Sequence, residues 1–285
     1  MKTKLSMLAL LLCACTLGFT PQARAAEEFK GNWTIMQSKQ PGQVRFGLIH
    51  HSDGHNSQSE SDWPVGEFLG LDLSATAKHD VKFAIARDAG RFDCEGYLKD
   101  GEGAGLFHFT PDARYPKDMN ALGFDGVDDE MQFAMAVHDV TLDFARAMKA
   151  EKLSGLNTEM LMAFRIHDVT PQFIREIRAA GLTANDADKL IAFRIHDVTP
   201  EMVREVRSSG MTVSEDELIA FRIHGVTPAF IAKVEKLGFA HLEPDQLVAM
   251  RIHGVTPEFI NDMKARGLKN LTVDQLVNLR IHGID

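Results

Sequence analysis

Histidine is the residue whose spacing in this chain most invites a chemical reading. His138, His167, His196, His224, His253 and His282 recur at intervals of 29, 29, 28, 29 and 29 residues. An imidazole can ligate metal, move protons or donate hydrogen bonds, so the row raises each of those roles in turn. Shared metal binding fails on distance. Equivalent residues of stacked helices lie on the order of 8–10 Å apart, whereas zinc holds its ligands about 2 Å from one centre. Five of the histidines follow an arginine by two positions: Arg165 and His167, Arg194 and His196, Arg222 and His224, Arg251 and His253, Arg280 and His282. The spacing favours a structural ladder. Imidazoles near a helix end would hydrogen-bond free carbonyls and offset the dipole, while the arginines pair with acidic caps of the next unit. A binding groove lined by these ten residues is the alternative.

Other candidate chemistry is thinner. His50, His51, Asp53 and His55 lie in a polar stretch, and three imidazoles with a carboxylate could gather around zinc or copper. Neighbours on one loop rarely converge, and no second cluster with ligand spacing backs them, so no metal is assigned. Cys94 alternates with Phe92 in Arg91-Phe92-Asp93-Cys94-Glu95-Gly96, which reads as a small buried residue of a strand. Asp100-Gly101-Glu102-Gly103-Ala104-Gly105 is glycine-rich but lacks the Lys-Ser/Thr of a phosphate loop and leads into a strand, so it is a tight turn. No nucleophile, histidine and acid stand in recognisable local context. No cofactor or catalytic residue follows from the residues, and the chain reads as a non-enzyme.

The elements that carry the histidines repeat with them. Arg165-Ile166-His167-Asp168-Val169-Thr170-Pro171 recurs at Arg194, and Arg222-Ile223-His224-Gly225-Val226-Thr227-Pro228 recurs from Arg251. A fixed period near thirty means a stacked array in which each unit buries its apolar face against its neighbours. The units run 128–156, 157–185, 186–213, 214–242 and 243–271, with a half unit at 272–285. Each reads as two short helices. In the unit opening at Ser214, Ser214 and Glu217 form a capping box, and Leu218, Ile219, Phe221 and Ile223 supply an apolar face. Gly225 ends the helix in the left-handed conformation; Thr227 caps the second helix with Pro228 in its first turn. Asn157, Asp186 and Thr272 are the equivalent first caps, and Glu243 is the odd one. Residues 110–127 read as a degenerate helix and linker that cap the array.

From residue 26 to 109 the apolar period changes to two. Trp33–Ile35, Val44–Leu48, Val81–Ile85, Phe92–Tyr97 and Leu106–Phe109 read as strands, with turn chemistry at Pro41-Gly42, Asp88-Ala89-Gly90 and Asp100–Gly103. His50 to Asp62 reads as the longest polar loop. The expected class is α+β: an antiparallel β module, a small sheet or sandwich, followed by an α-solenoid of two-helix repeats.

The text FDCEGYLKDGEGAGLFHFTPD, then AVHDVT, then RIHGVTPEF repeats, resembles a family of uncharacterised secreted bacterial proteins. Similar repeats are appended to membrane metallopeptidases of the beta-lactam-sensor (antirepressor) type. The resemblance implies an accessory or sensory ectodomain of an envelope peptidase system. The metallopeptidase pattern of two histidines flanking a glutamate is absent, so no catalytic residue carries over.

The 285 residues carry a formal charge of −9, with 45% apolar and 25% charged side chains. Lys2 and Lys4, the apolar run Leu5 to Phe19 and the small-residue site Ala23-Arg24-Ala25 have the order of a secretory signal peptide at 1–25. Removing Lys2, Lys4 and Arg24 takes the charge to about −12. A lipoprotein anchored through Cys15 is the rival reading. Either places the mature chain outside the cytoplasm, periplasmic or secreted, with no transmembrane segment after cleavage. His253-Gly254-Val255-Thr256-Pro257 has the look of a helix-hairpin-helix turn. Yet Thr replaces its second glycine, and the array holds 18 basic against 24 acidic residues, which argues against nucleic acid. The expected role is non-catalytic binding of a protein or peptide in the cell envelope. A contact for self-association or a partner is expected at the helix spanning 273–282, where Leu276, Val277, Leu279 and Ile281 keep interior apolar text. The address has a direct test: intact mass of secreted material should give a start at Ala26, and a lipid-modified Cys15 would replace that reading.

Overall fold

The computed structural model describes residues 29–52 and 55–284. The signal segment, Cys13, Cys15, Asp53 and Asp285 lie outside them. Six antiparallel strands come first: β1 Phe29–Gln37, β2 Gln43–Ser52, β3 His55–Pro64, β4 His79–Arg87, β5 Gly90–Lys99 and β6 Glu102–Pro111, in the sheet order β3-β2-β1-β6-β5-β4. Twelve helices follow: α1 Tyr115–Ala121, α2 Asp129–Val137, α3 Leu142–Ala150, α4 Thr158–Ile166, α5 Pro171–Ala179, α6 Ala187–Ile195, α7 Pro200–Ser208, α8 Glu215–His224, α9 Pro228–Lys236, α10 Pro244–Ile252, α11 Pro257–Ala265 and α12 Val273–Ile281. Among the described residues no helix is long and apolar enough to cross a membrane.

The stretch from His50 to Asp62 is not a loop. It is the β2–β3 hairpin, paired from Gln43↔Pro64 to Ser52↔His55. Its Ser, Asn and Gln residues suppress any period-two apolar signal, and pairing with β2 forms the strand regardless. The sheet curls tightly. Leu69, beyond β3, exchanges hydrogen bonds with Ala84 of β4 at 2.7 and 3.0 Å, bringing the chain back to the opposite edge. Trp33 of β1 reaches across two strands to meet Phe83 of β4 edge-on at 5.0 Å. Its indole N–H donates to the Glu95 carbonyl at 3.1 Å. Gly96 and Gly105 pair beneath it, and a Cβ on either would fall 2.7 Å from the indole. The Asp100-Gly101 turn between β5 and β6 has φ of 53° and 78°, the left-handed pair that a two-residue hairpin needs.

The helices pack against their next-but-one neighbours, α4 on α6 on α8 on α10 on α12 in one row and α5 on α7 on α9 on α11 in the other. Helix α1 packs on α3, and its buried Tyr115 hydroxyl donates to the Val140 carbonyl at 2.7 Å, so α1 heads the second row. The caps fall where Ser, Thr, Asn and Asp precede the apolar runs. Asn157, Asp186, Ser214 and Thr272 accept from main-chain N–H groups of α4, α6, α8 and α12. At the odd cap, the Glu243 N–H donates back to Gln246 Oε1 at 3.0 Å.

One hydrophobic core runs through both parts. Phe133 of α2 enters the end of the curled sheet, stacked on Phe29 at 5.1 Å and edge-on to Phe109 at 5.4 Å. The buried Gln132 amide donates to the Ala89 and Asp112 carbonyls at 2.6 and 2.8 Å. Gly105→Ala should lower unfolding free energy by at least ~2 kcal/mol, because its Cβ would also fall 2.0 Å from the Glu95 carbonyl oxygen. Urea denaturation followed by tryptophan fluorescence checks this. Wild-type stability would mean that the indole does not need the paired glycines.

Candidate binding surface

From α4 onward each first helix of a unit ends at the Arg-Ile-His text, and the three residues go to three places. The arginine turns back onto the preceding unit, not forward onto the caps of the next one as the spacing suggested. Arg165 Nε donates to the His138 carbonyl at 3.0 Å, Arg194 Nε to His167 at 3.1 Å, Arg222 Nε to His196 at 3.0 Å and Arg251 Nε to His224 at 3.4 Å. These are carbonyls of the last helical turn, which have no partner within their own helix. The Asp that follows takes the other side of the guanidinium: Asp139 holds Arg165 at 2.8 Å, Asp168 pairs with Arg194, and Asp197 with Arg222. The guanidinium also lies over a ring of the preceding second helix. Arg165 is 5.3 Å from the Phe144 centroid, Arg194 4.9 Å from Phe173, Arg251 5.1 Å from Phe230 and Arg280 4.9 Å from Phe259.

Asp139, Asp168 and Asp197 have φ of 54°, 54° and 56°, and Gly225 and Gly254 hold the same place at 70° and 69°. This left-handed residue directs the following valine N–H to the helix, as in Val169 to the Phe164 carbonyl at 2.8 Å. The exchange of Asp for Gly at one repeat position was the available signal, since few residue types share the left-handed region. The histidines contribute their main-chain carbonyls to the ladder. The rings of His167, His196 and His224 lie half-buried, and those of His253 and His282 are exposed. Burial and the nearby Arg165 hold the first of the row, His138, below the ordinary imidazole range.

The isoleucines point out. Ile166, Ile195, Ile223, Ile252 and Ile281 are 51–56% exposed. The sequence reading assigned Ile223 to the buried face; the structure buries Leu218 and Phe221 and turns Ile223 to solvent. Both choices have helical spacing, Leu218 with Phe221 on one side and Ile219 with Ile223 on the other, so periodicity alone does not select between them. Ile281 of α12 is as exposed as its equivalents inside the array, so its exposure belongs to the row. In α12 Leu276 is buried and Val277 and Leu279 are half-buried.

The β module carries less. His50 is buried and tucked between Phe29 and Phe133, with its Nδ1 on the Lys30 carbonyl at 2.9 Å. His51 and His55 fall on the paired strands of the hairpin, so the proposed ligand loop is replaced by regular sheet. Cys94 is buried, and desolvation with the nearby Asp93 pushes its thiol far above the usual range. A cleft of about 760 Å³ crosses the outside of the sheet over Leu69 and Leu106. Four of its charged residues form two pairs, Lys82 with Glu95 at 3.3 Å and Arg91 with Asp93 at 2.8 Å. Comparison with protein-family models, curated proteins and solved structures finds no match to this chain.

Substitutions should separate the parts of a ladder rung. Arg194→Ala loses a charged hydrogen bond and the contact over Phe173 and should cost about 2 kcal/mol. Asp168→Gly loses only an exposed ion pair and relieves the left-handed backbone, for a change within about 0.5 kcal/mol. Chemical denaturation of both variants decides. Equal losses would make the ion pair, and not the carbonyl bond, the strut.

Proposed function

We propose that this is a non-catalytic binding protein that acts outside the cytoplasm, its helical array presenting a surface to a protein or peptide of the cell envelope. The observation that carries the reading is the row Ile166, Ile195, Ile223, Ile252 and Ile281, one exposed isoleucine in each unit from 157 onward. Scattered surface isoleucines need no explanation, but a contiguous apolar row marks an interaction site. The array compares its own positions. Exposed places on the second helices vary freely, as in Gln172, Glu201, Ala229 and Glu258, or Arg175, Arg204, Ala232 and Asn261. Other invariant places are core, cap or ladder, the histidines lending the ladder their main-chain carbonyls. The isoleucines are none of these and are still repeated.

The chemistry that would favour an enzyme is committed elsewhere. The ladder arginines hold main-chain carbonyls, and the cysteine thiol is desolvated inside the sheet. Cells expressing the full chain with a photocrosslinking residue at position 195 or 223 should yield adducts with an envelope protein. The same residue at position 86, on the outer face of β4, should yield none. Crosslinking from neither array position would overturn the reading.

A further inference from the structure

The partner's chemistry can be read from what borders the isoleucine row. Each first helix from α4 onward carries an acid at its second position: Glu159, Asp188, Asp216, Asp245 and Asp274, four of them aspartate. All five are exposed. Among the described residues only Asp216 of these is drawn into an ion pair, with Lys189. An acid here favours the helix N-terminus, which explains why each is tolerated. Their stacking nevertheless makes a continuous negative border, because the first helices lie side by side. Between that border and the isoleucines lie the half-buried Met162, Ile191, Ile219, Val248 and Val277. The first helices thus present an apolar band with a row of carboxylates along one edge.

The dimensions select an occupant. From acid to isoleucine is seven residues, or about 10 Å along the helix axis, close to the 10–12 Å width of an α-helix with its side chains. Successive isoleucines recur at an interaxial step on the order of 8–10 Å. Residues seven apart on a helix are about 10.5 Å apart along its axis. We propose that the first-helix face of the array binds a basic amphipathic helix laid across the repeats. Its apolar stripe would rest on Ile166, Ile195, Ile223, Ile252 and Ile281, and its lysines or arginines would flank the row Glu159 to Asp274. The acidic excess of the array, 24 against 18, favours the same sign of partner.

This inference rests on the binding reading above and specifies its partner, so its test uses a defined probe. A fluorescent peptide of about 25 residues, with leucines at heptad a and d positions and lysines elsewhere, is titrated into the full chain. Two control peptides are titrated beside it, one scrambled and one with glutamate replacing lysine. The lysine peptide should bind at least about tenfold more tightly than either control, and added salt should weaken it. The combined variant Ile195→Ser, Ile223→Ser, Ile252→Ser should weaken binding about tenfold or more while its circular dichroism stays that of wild type. The variant Asp188→Asn, Asp245→Asn, Asp274→Asn leaves every buried position intact, and it should bind more weakly and lose much of the salt dependence. Equal binding of all three peptides, or of wild type and the acid-row variant, overturns the proposal. So does a dimer in sedimentation that the isoleucine variant abolishes, since a second copy would then own the face. Crosslinks from positions 195 and 223 with no peptide binding would reject the basic helix alone, whereas absence of both would reject the binding reading with it.

Discussion

The short helices of this array end in carbonyls that their own turns cannot satisfy, and at seven of them a guanidinium or ammonium from the next unit supplies the donor. Arg165, Arg194, Arg222 and Arg251 do so for the first-helix row. The second row uses the same device: Lys149 reaches the Leu122 carbonyl, Arg178 that of Glu151 and Lys264 that of Leu237. Helices of this length are marginal alone. A donor from the following unit makes each helix end part of an interface, so stacking and helix formation become one event. Arg165, Arg194 and Arg251 also cover a ring as they reach back, which adds apolar contact to the hydrogen bond.

The first rung ties the array to the sheet. Asp139 accepts from Arg165 in the ordinary way but also pairs with Arg87 of β4 at 2.6 Å. Arg87 in turn meets Glu67 at 2.5 Å and lies over Trp63 at 4.4 Å. Only a tenth of its side chain is exposed, so its charge must be neutralised locally, and carboxylates on both sides do that. With Phe133 seated among Phe29, Phe107 and Phe109, the sheet acts as the first stacking partner of the array. Division into a β module, a linker and a solenoid describes the order of the elements; the packing is continuous.

The ladder also decides which surface remains. Because each Arg faces the preceding unit and Asp139, Asp168 and Asp197 receive the arginine of the following one, the residue between Arg and His has no neighbour to meet, and the isoleucine of every unit from 157 onward stands in solvent. A stacking code carried by Arg and Asp leaves the exposed position between Arg and His free to vary. From the second unit on it does not vary, which is why the row is read as a contact surface and not as a by-product of repetition.

Much of this architecture is written in local chemistry. The period of the histidines, the Thr-Pro and Ser-x-x-Glu caps, the left-handed Gly225 and the alternation around Phe92 all depend on residues within a few positions of one another, so they were legible along the chain. Three features were not. The β3 strand lacks apolar alternation and exists because β2 lies beside it. The partner of each ladder arginine sits 26 or 27 residues upstream, and a repeat offers the same acids and carbonyls on both sides, so spacing cannot say which neighbour is used. Ile219 with Ile223 and Leu218 with Phe221 have equally good helical periods, and only the stacking of α8 between α6 and α10 selects the pair that is buried. Local propensity is set by neighbours in sequence; direction, pairing and exposure are set by neighbours in space.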